Sequence, residues 1–318
     1  MSDAEVDAPP ARQTEGRREQ RRSTRVEVNG WVCLDKPVGL TSTQAVAQVK
    51  FLFNAKKAGH AGTLDPLASG VLPIALGEAT KTVSIVQDGV KAYRFGVRWG
   101  AETDTDDAEG RAVAHSDARP EPDAIRALLP RFVGVISQVP PVYSAIKVGG
   151  ERAYDLAREG SEVVMTAREI VVHRLELVSG EADTAIFEAE CGKGTYVRAI
   201  ARDLGRLLGC YGHVVLLRRT RVGPFSSAEA VTLDSLRAAP EENGRALLPV
   251  EAGLAELACL PIDRDGAAAL RRGQKLLLRG SRIPAEGPAY AACFGAPIAF
   301  GVVEAGYFVS TRVFNLPG

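Results

Sequence analysis

The nine residues KAYRFGVRW, from Lys91 to Trp99, alternate cleanly between two kinds of side chain. A period of two is typical of a β-strand with one face packed on a core. The fold must therefore contain a sheet with at least one buried face. The apolar face of this strand carries Tyr93, Phe95, Val97 and Trp99, and the polar face carries Arg94 and Arg98.

Strand and helix patterns follow one another irregularly along the rest of the chain. Several neighbouring strand patterns have no helical pattern between them, which indicates hairpins rather than the helical crossovers of a doubly wound sheet. The sequence thus predicts an α+β fold with a mixed, largely antiparallel central sheet flanked by helices. Strands are predicted at 31–34, 71–76, 169–178, 184–191 and 213–225, and helices from residues 42, 78, 122, 151 and 197.

Three regions of different composition divide the 318 residues. Residues 1–27 are polar and arginine-rich, and we expect a disordered tail there. A main domain is predicted over 28–250 and a small β domain over 251–318, where short β-like runs follow a Pro/Gly/Glu-rich linker. No apolar run is long enough to span a bilayer, so no membrane association is expected.

The cysteine and charge patterns indicate the cellular compartment and the class of binding partner. The five cysteines are scattered without a C-x-x-C pair, as is typical of a reduced cytoplasmic protein. The formal net charge is zero, so support for a nucleic-acid partner must come from local basic patches. Taken alone, each such patch is better explained as a solvated surface. The two patches are LRRTR at 217–221 and RRGQKLLLRGSR at 271–282.

The segment AGHAGTLDPLASGVLPIALGEATK, residues 58–81, holds one carboxylate, Asp65, before Glu78. An aspartate before a proline often initiates a turn, because its side chain accepts hydrogen bonds from nearby backbone N–H groups. The small apolar residues around Asp65 also suggest a pocket with little water. A carboxylate there stays ionised only if a cation compensates for its lost hydration. An active anion would therefore need an arginine or lysine from elsewhere in the chain.

Two tyrosines and one arginine are further candidates. Tyr196 and Arg198 follow a glycine turn at the start of a predicted helix, and Tyr93 lies on the alternating strand. A core ring and a solvated arginine are the ordinary roles of such residues, and the patterns alone favour them. The functional alternatives are rings that stack on a flat ligand and a cation at a pocket rim.

Several common kinds of site lack their sequence signals. The four histidines are never three or four positions apart, so no metal site is predicted. There is no G-x-S-x-G, no G-K-[ST] ending of a P-loop and no G-x-G-x-x-G. We therefore expect no cofactor.

Six long blocks resemble the TruB-type tRNA pseudouridine synthases, in that family's order. They are GWVCLDKPVGLTS, AGHAGTLDPLASGVLPIALGEATK, KAYRFGVRWGAETDTDDAEG, QVPPVYSAIKVGGERAYDLAREG, CGKGTYVRAIARDLGRLLG and HVVLLRRTRVGPF, covering roughly residues 30–225. The resemblance implies a pseudouridine-synthase fold with a catalytic domain at 28–250 and a PUA-like RNA-binding domain at 251–318. It also implies an isomerase that converts uridine 55 of the tRNA TΨC loop to pseudouridine.

The resemblance implies roles for individual residues as well. Asp65 aligns with the catalytic aspartate, and Tyr93 with the tyrosine that stacks on the target base. Tyr196 and Arg198 align with the second aromatic residue of the pocket and with the arginine that pairs with the aspartate. Further expected RNA contacts are His60 and Lys81, from the resemblance, and Arg218, Arg219, Arg271 and Arg272, from the basic patches.

The implied partner is tRNA, bound through its T-arm by a cytoplasmic, monomeric enzyme without an obligate protein partner. Two other classes of function stay open. A non-catalytic RNA-binding or RNA-folding protein would use the same basic patches, and help with tRNA folding is also compatible with catalysis. A small-molecule enzyme would use the glycines at 58–62 as a phosphate cradle.

Overall fold

The computed structural model describes residues 25–144, 146–160, 163–278 and 285–316. The predicted tail lies outside the described residues as far as residue 24, and so do residues 279–282 of the second basic patch. Among the helices within the described ranges, none is long and apolar enough to cross a membrane.

The elements are given in chain order. The α-helices are α1 (Ser42–Leu52), α2 (Val83–Asp88), α3 (Pro122–Leu128), α4 (Ala153–Arg158), α5 (Val197–Leu207), α6 (Leu233–Ala238) and α7 (Arg264–Arg271). The strands are β1 (Gly30–Lys36), β2 (Ala58–His60), β3 (Ser69–Leu76), β4 (Lys91–Trp99), β5 (Ala101–Thr103), β6 (Ala112–His115), β7 (Gly134–Gln138), β8 (Lys147–Val148), β9 (Glu151–Arg152), β10 (Arg168–Gly180), β11 (Thr184–Cys191), β12 (Gly212–Val222), β13 (Phe225–Ser226), β14 (Val231–Thr232), β15 (Ala258–Pro261), β16 (Leu276–Leu277), β17 (Gly287–Cys293), β18 (Ala296–Glu304) and β19 (Tyr307–Val313). Turns of 3-10 helix lie at Gly77–Thr82, Leu129–Phe132, Pro240–Ala246 and Val250–Leu254.

A ten-stranded sheet forms the centre of the larger unit, in the order β14-β1-β3-β12-β4-β11-β10-β7, with β13 beside β12 and β2 beside β3. The pairs β1–β14 and β3–β12 run parallel, and the other neighbours run antiparallel. The predicted α+β class with a mixed, largely antiparallel sheet is therefore confirmed.

Local sequence explains two elements that position the site. The side chain of Thr41 accepts the Gln44 N–H, and the Gln44 side chain accepts the Thr41 N–H, so a capping box starts α1 one residue after Thr41. On β4, the alternating pattern buries Phe95 and Trp99 in the main core and leaves Arg94 exposed. The strand predicted from period-two alternation is observed with the same bounds.

A second, five-stranded sheet, in the order β15-β17-β18-β19-β16, follows in the chain. With α7 it encloses its own apolar cluster, which includes Leu270 and Phe308. A further cluster is shared between the two units, because Phe300 and Phe314 pack in the same buried group as Trp31. The predicted C-terminal β region is thus present and is joined to the main sheet by a continuous core.

Some predicted elements differ in detail. The short helix expected from Glu78 begins as a 3-10 turn and becomes α2 only at Val83. The Pro/Gly/Glu-rich stretch near 240–255 is more than a linker, because Leu248 exchanges two backbone hydrogen bonds of 2.8 Å with Trp31. Pairing with a distant strand, which local composition does not encode, orders this stretch.

Candidate active site

Asp65 lies in the loop between β2 and β3, and this loop is tied to the first turn of α1. The Ser42 hydroxyl accepts the Leu64 N–H at 2.8 Å and donates to the Leu64 carbonyl at 3.0 Å. The Ala68 N–H donates to the Asp65 carbonyl at 3.1 Å. Asp65 therefore sits in a turn, as its place before Pro66 predicts, and the helix end fixes the backbone beside it.

The carboxylate of Asp65 is open to solvent, since its side chain is 39% exposed. This corrects the prediction of a pocket with little water. The apolar neighbours Leu64 and Ala68 turn into the core, and they leave the carboxylate at the surface. A large ligand can therefore reach Asp65 from outside.

A buried arginine pairs with Asp65. Arg198, in the first turn of α5, places Nη2 2.9 Å from Asp65 Oδ2, and its own side chain is only 5% exposed. The guanidinium also donates to the carbonyls of Thr105 at 2.8 Å and Tyr143 at 2.9 Å. Three separate segments thus hold this cation in one orientation.

A second carboxylate shares the same guanidinium. Asp107 Oδ2 lies 3.1 Å from Arg198 Nη1, and the Asp107 side chain is 3% exposed. Its other oxygen accepts the Thr105 hydroxyl at 2.6 Å and the Glu109 N–H at 3.0 Å. The sequence patterns missed Asp107, because ETDTDDAEG looks like an acidic surface loop. The alternating Thr and Asp residues, which bond to one another, were the available signal.

Arg198 starts a row of three arginines along α5. One turn later Arg202 Nη1 lies 3.0 Å from Asp106 Oδ2, and a further turn later Arg206 Nη2 lies 2.6 Å from Glu102 Oε1. Burial raises the pKa of Asp106 to about 6, although Arg202 opposes this rise. The row holds the acidic loop 102–107 against the helix that carries Arg198.

Two half-buried tyrosines lie near Asp65. Tyr196 is the N-cap of α5, and the Gln138 side chain holds it by accepting its N–H at 2.9 Å and donating to its carbonyl at 3.1 Å. Tyr93 lies on β4 opposite Arg219 of β12. Burial raises the pKa of both phenols, and the Asp65 carboxylate adds to that rise.

His60 and Lys81 have different surroundings. His60 is half-buried on β2, and burial followed by the charge of Arg219 lowers the pKa of its imidazole. Lys81 Nζ donates to Glu78 Oε2 at 2.7 Å and to the Val313 carbonyl at 2.8 Å. Lys81 therefore links the main unit to the end of β19.

The adjacent arginines of LRRTR occupy opposite faces of β12. Arg218 forms two hydrogen bonds with the Asp35 carboxylate, at 2.9 and 2.7 Å. Arg219 is 2% exposed, and its donors are bonded to carbonyls inside the protein. The predicted contact of Arg219 with an RNA phosphate does not fit this buried position. Arg271 and Arg272 are exposed at the C-terminal end of α7.

Two protein-family models match this chain. The model of the TruB family pseudouridylate synthase N-terminal domain matches residues 50–197, and that of the tRNA pseudouridylate synthase B C-terminal domain matches residues 198–255. The tRNA pseudouridine synthase B of Rhodopseudomonas palustris is 58% identical over 312 residues, which are 95% of this chain and 85% of that protein. The chain belongs to the TruB family. Its predicted class, an isomerase that forms pseudouridine, is thereby confirmed.

Other TruB-family relatives and solved structures agree. The tRNA pseudouridine synthase B of Bradyrhizobium diazoefficiens is 57% identical and covers 98% of this chain and 92% of its own length. A chain in an H/ACA RNP bound to a substrate RNA containing 2'-deoxyuridine is 25% identical with a TM-score of 0.70, over 91% of this chain and 85% of that one. A Cbf5-Nop10-Gar1 complex gives 26% identity and a TM-score of 0.68, over 90% and 84%. The predicted pseudouridine-synthase fold is confirmed.

Proposed function

We propose that this TruB-family enzyme isomerises uridine 55 in the TΨC loop of tRNAs, with Asp65 as the essential carboxylate. The observation that carries the proposal is the 2.9 Å contact between the buried Arg198 and the accessible Asp65. It gives the enzyme one carboxylate that a substrate can reach and that a fixed cation pairs with and orients. The names of the relatives, tRNA pseudouridine synthase B, support tRNA as the substrate.

The reaction is an internal rearrangement. The C1′–N1 bond of the uridine breaks, the uracil turns, a C5–C1′ bond forms, and the hydrogen on C5 is lost to solvent while N1 gains one. Asp65 has three possible first steps: attack on the base, attack on C1′, or removal of the 2′ proton. Each of them requires an ionised carboxylate next to the ribose and base.

The target base has to leave its stack to reach Asp65. Extrusion of a nucleotide costs a few kcal/mol in stacking and pairing. A ring of Tyr93 stacked on the uracil would return about 1–3 kcal/mol of that cost. Tyr196 would close the other side of the pocket, and its backbone is already held by Gln138.

The rest of the tRNA would be bound by the C-terminal unit, which consists of the second sheet and α7. We propose a PUA-like RNA-binding domain over 251–318, beside a catalytic domain over 28–250, with phosphate contacts from the exposed Arg271 and Arg272. We further propose a monomer that works in the cytoplasm without an obligate protein partner. The five cysteines, all free in the structure, support a reducing compartment.

The decisive experiment replaces Asp65 by Asn and supplies a T-arm RNA hairpin labelled with tritium at C5 of the target uridine. Tritium release should fall by about 1,000-fold or more, while hairpin affinity stays within about threefold. Release at a near wild-type rate would remove Asp65 from its proposed role. Release from another uridine, with uridine 55 unlabelled, would remove the site specificity. A tRNA refolding assay with the same variant tests a separate folding function.

A further inference from the structure

The Arg219 side chain is among the largest fully buried in the protein. A buried arginine ordinarily pairs with a carboxylate, because an uncompensated charge inside a protein is costly. Among the described residues, Arg219 has no ion-pair partner of this kind, and its guanidinium bonds instead to backbone. Nε donates to the Val71 carbonyl at 2.8 Å, Nη2 to Gly62 at 3.0 Å and Nη1 to Thr63 at 3.3 Å.

These three carbonyls lie at both ends of the segment that carries Asp65. Gly62 and Thr63 precede it, and Val71 follows it on β3. The backbone of Arg219 also pairs with Gly70, and it passes so close that a Cβ on Gly70 would lie 2.1 Å from the Arg219 carbonyl oxygen. Main-chain and side-chain contacts of Arg219 thus hold both ends of the loop 62–71.

The same guanidinium reaches the base pocket. Tyr93 lies directly opposite Arg219 on the neighbouring strand, and the charge of the guanidinium opposes the rise that burial causes in the pKa of the Tyr93 phenol. The Asp65 loop and the strand that carries Tyr93 therefore meet at one residue. A planar guanidinium with five donors can serve several acceptors at fixed angles, whereas an ammonium cannot.

We propose that Arg219 is a positioning residue that holds the Asp65 loop and the Tyr93 ring in the spatial relationship the isomerisation requires. This proposal rests on the proposed function of Asp65. Because Arg219 is only 2% exposed, its loss should slow the chemical step and leave RNA binding intact.

The test compares Arg219→Lys with Arg174→Lys. Both arginines lie on strands of the ten-stranded sheet, but Arg174 is on β10 and pairs with Glu176 at the surface. Single-turnover tritium release at saturating hairpin should fall at least tenfold in Arg219→Lys and less than threefold in Arg174→Lys. The hairpin Kd should stay within about threefold in both variants. A wild-type rate in Arg219→Lys, or a loss of affinity that accounts for the lost rate, would overturn the proposal.

Amide hydrogen exchange provides a readout that does not depend on activity. Peptides covering residues 62–71 should exchange faster in Arg219→Lys than in Arg174→Lys, and unchanged exchange would also overturn the proposal. A wild-type enzyme that releases no tritium would instead refute the proposed function. If Arg219→Lys does not fold, Arg219→Gln takes its place, because its amide can still donate to the Val71 carbonyl.

Discussion

Arg198 and Asp107 form an ion pair that is almost closed to water, with exposed fractions of 5% and 3%, whereas Asp65 on the same guanidinium is 39% exposed. The two carboxylates therefore have different tasks. Asp107 compensates and orients the cation from inside, and Asp65 presents its charge outward. A buried partner lets Arg198 keep its position when a substrate competes for Asp65.

The first prediction concerns Asp107→Asn. The amide nitrogen would face the Arg198 donors, so the guanidinium loses an acceptor and its orientation. We expect single-turnover tritium release to fall about tenfold or more at saturating hairpin, with little change in Kd. Asp104→Asn is the matched control, because Asp104 is exposed in the same loop and its Oδ1 contact with the Arg111 N–H survives. Equal rates of tritium release in the two variants would contradict the role of Asp107 in orienting Arg198.

Removal of the shared cation should cost stability as well as activity. Arg198→Met leaves Asp107 buried without its counter-charge, and breaking a buried pair in this way costs about 3–5 kcal/mol. Arg126→Met on α3 should cost about 1 kcal/mol or less, since the paired side chains of Arg126 and Asp123 are 57% and 97% exposed. Urea unfolding of both variants measures the difference, and similar losses would show that burial of the pair is unimportant.

The pH dependence of stability should report on Asp106. Its folded-state pKa of about 6 lies above the ordinary 3.8, so the folded state holds the proton more tightly than the unfolded state. The resulting contribution to the free energy of unfolding is complete below about pH 4 and is lost as the pH rises through 6. The difference between the folded and unfolded pKa values of Asp106 corresponds to at most about 3 kcal/mol in the free energy of unfolding. Asp106→Asn should flatten this slope in unfolding curves between pH 4 and 7, and an unchanged slope would assign it to other groups.

Salt dependence tests the RNA contacts that we propose for Arg271 and Arg272 at the end of α7. Each phosphate contact adds about 0.7–0.9 to the slope of log affinity against log salt concentration. Arg271→Gln combined with Arg272→Gln should therefore weaken tRNA binding and reduce that slope by about 1.5. Arg174→Gln should change it little, because Arg174 already pairs with Glu176. An unchanged slope in the double variant would make the end of α7 an ordinary surface.

The contact between the two units should weaken without Glu78. Glu78 Oε2 accepts the Asn315 N–H at 2.6 Å and the Lys81 ammonium at 2.7 Å. Burial tends to raise the pKa of Glu78, but these two donors outweigh it and the pKa falls below 4.5. The stabilisation is therefore present above about pH 4.5 and is lost as the pH falls further. Glu78→Gln should increase protease cleavage near residues 250–257 at pH 7. An unchanged cleavage pattern would show that Glu78 does not stabilise the contact between the two units.

Local patterns predicted the elements well where one segment decides its own structure. The alternation of β4 is a property of nine consecutive residues, and the predicted strand is observed with the same bounds. The resemblance to a family pointed to Asp65 and Arg198, which the residue patterns alone left as a turn and a solvated arginine.

What the sequence did not predict depends on long-range contacts. Asp107 and Arg219 look like surface charges in their own segments, and only the packing of distant strands and α5 shows that both are buried. The same limit explains the error at Asp65. Whether a carboxylate is covered depends on the direction of its neighbours, and Leu64 and Ala68 turn inward.

The core shared by Trp31, Phe300 and Phe314 has a consequence for synthesis of the protein. Trp31 lies in β1, and its aromatic neighbours leave the ribosome only after the main sheet has been translated through β14. Until then, part of the first strand of the main sheet stays exposed, and contacts between such distant positions form slowly. A ribosome that stalls while translating the second sheet would therefore release a chain in which part of β1 is still exposed to water. Chaperones and proteases bind exposed apolar segments of this kind.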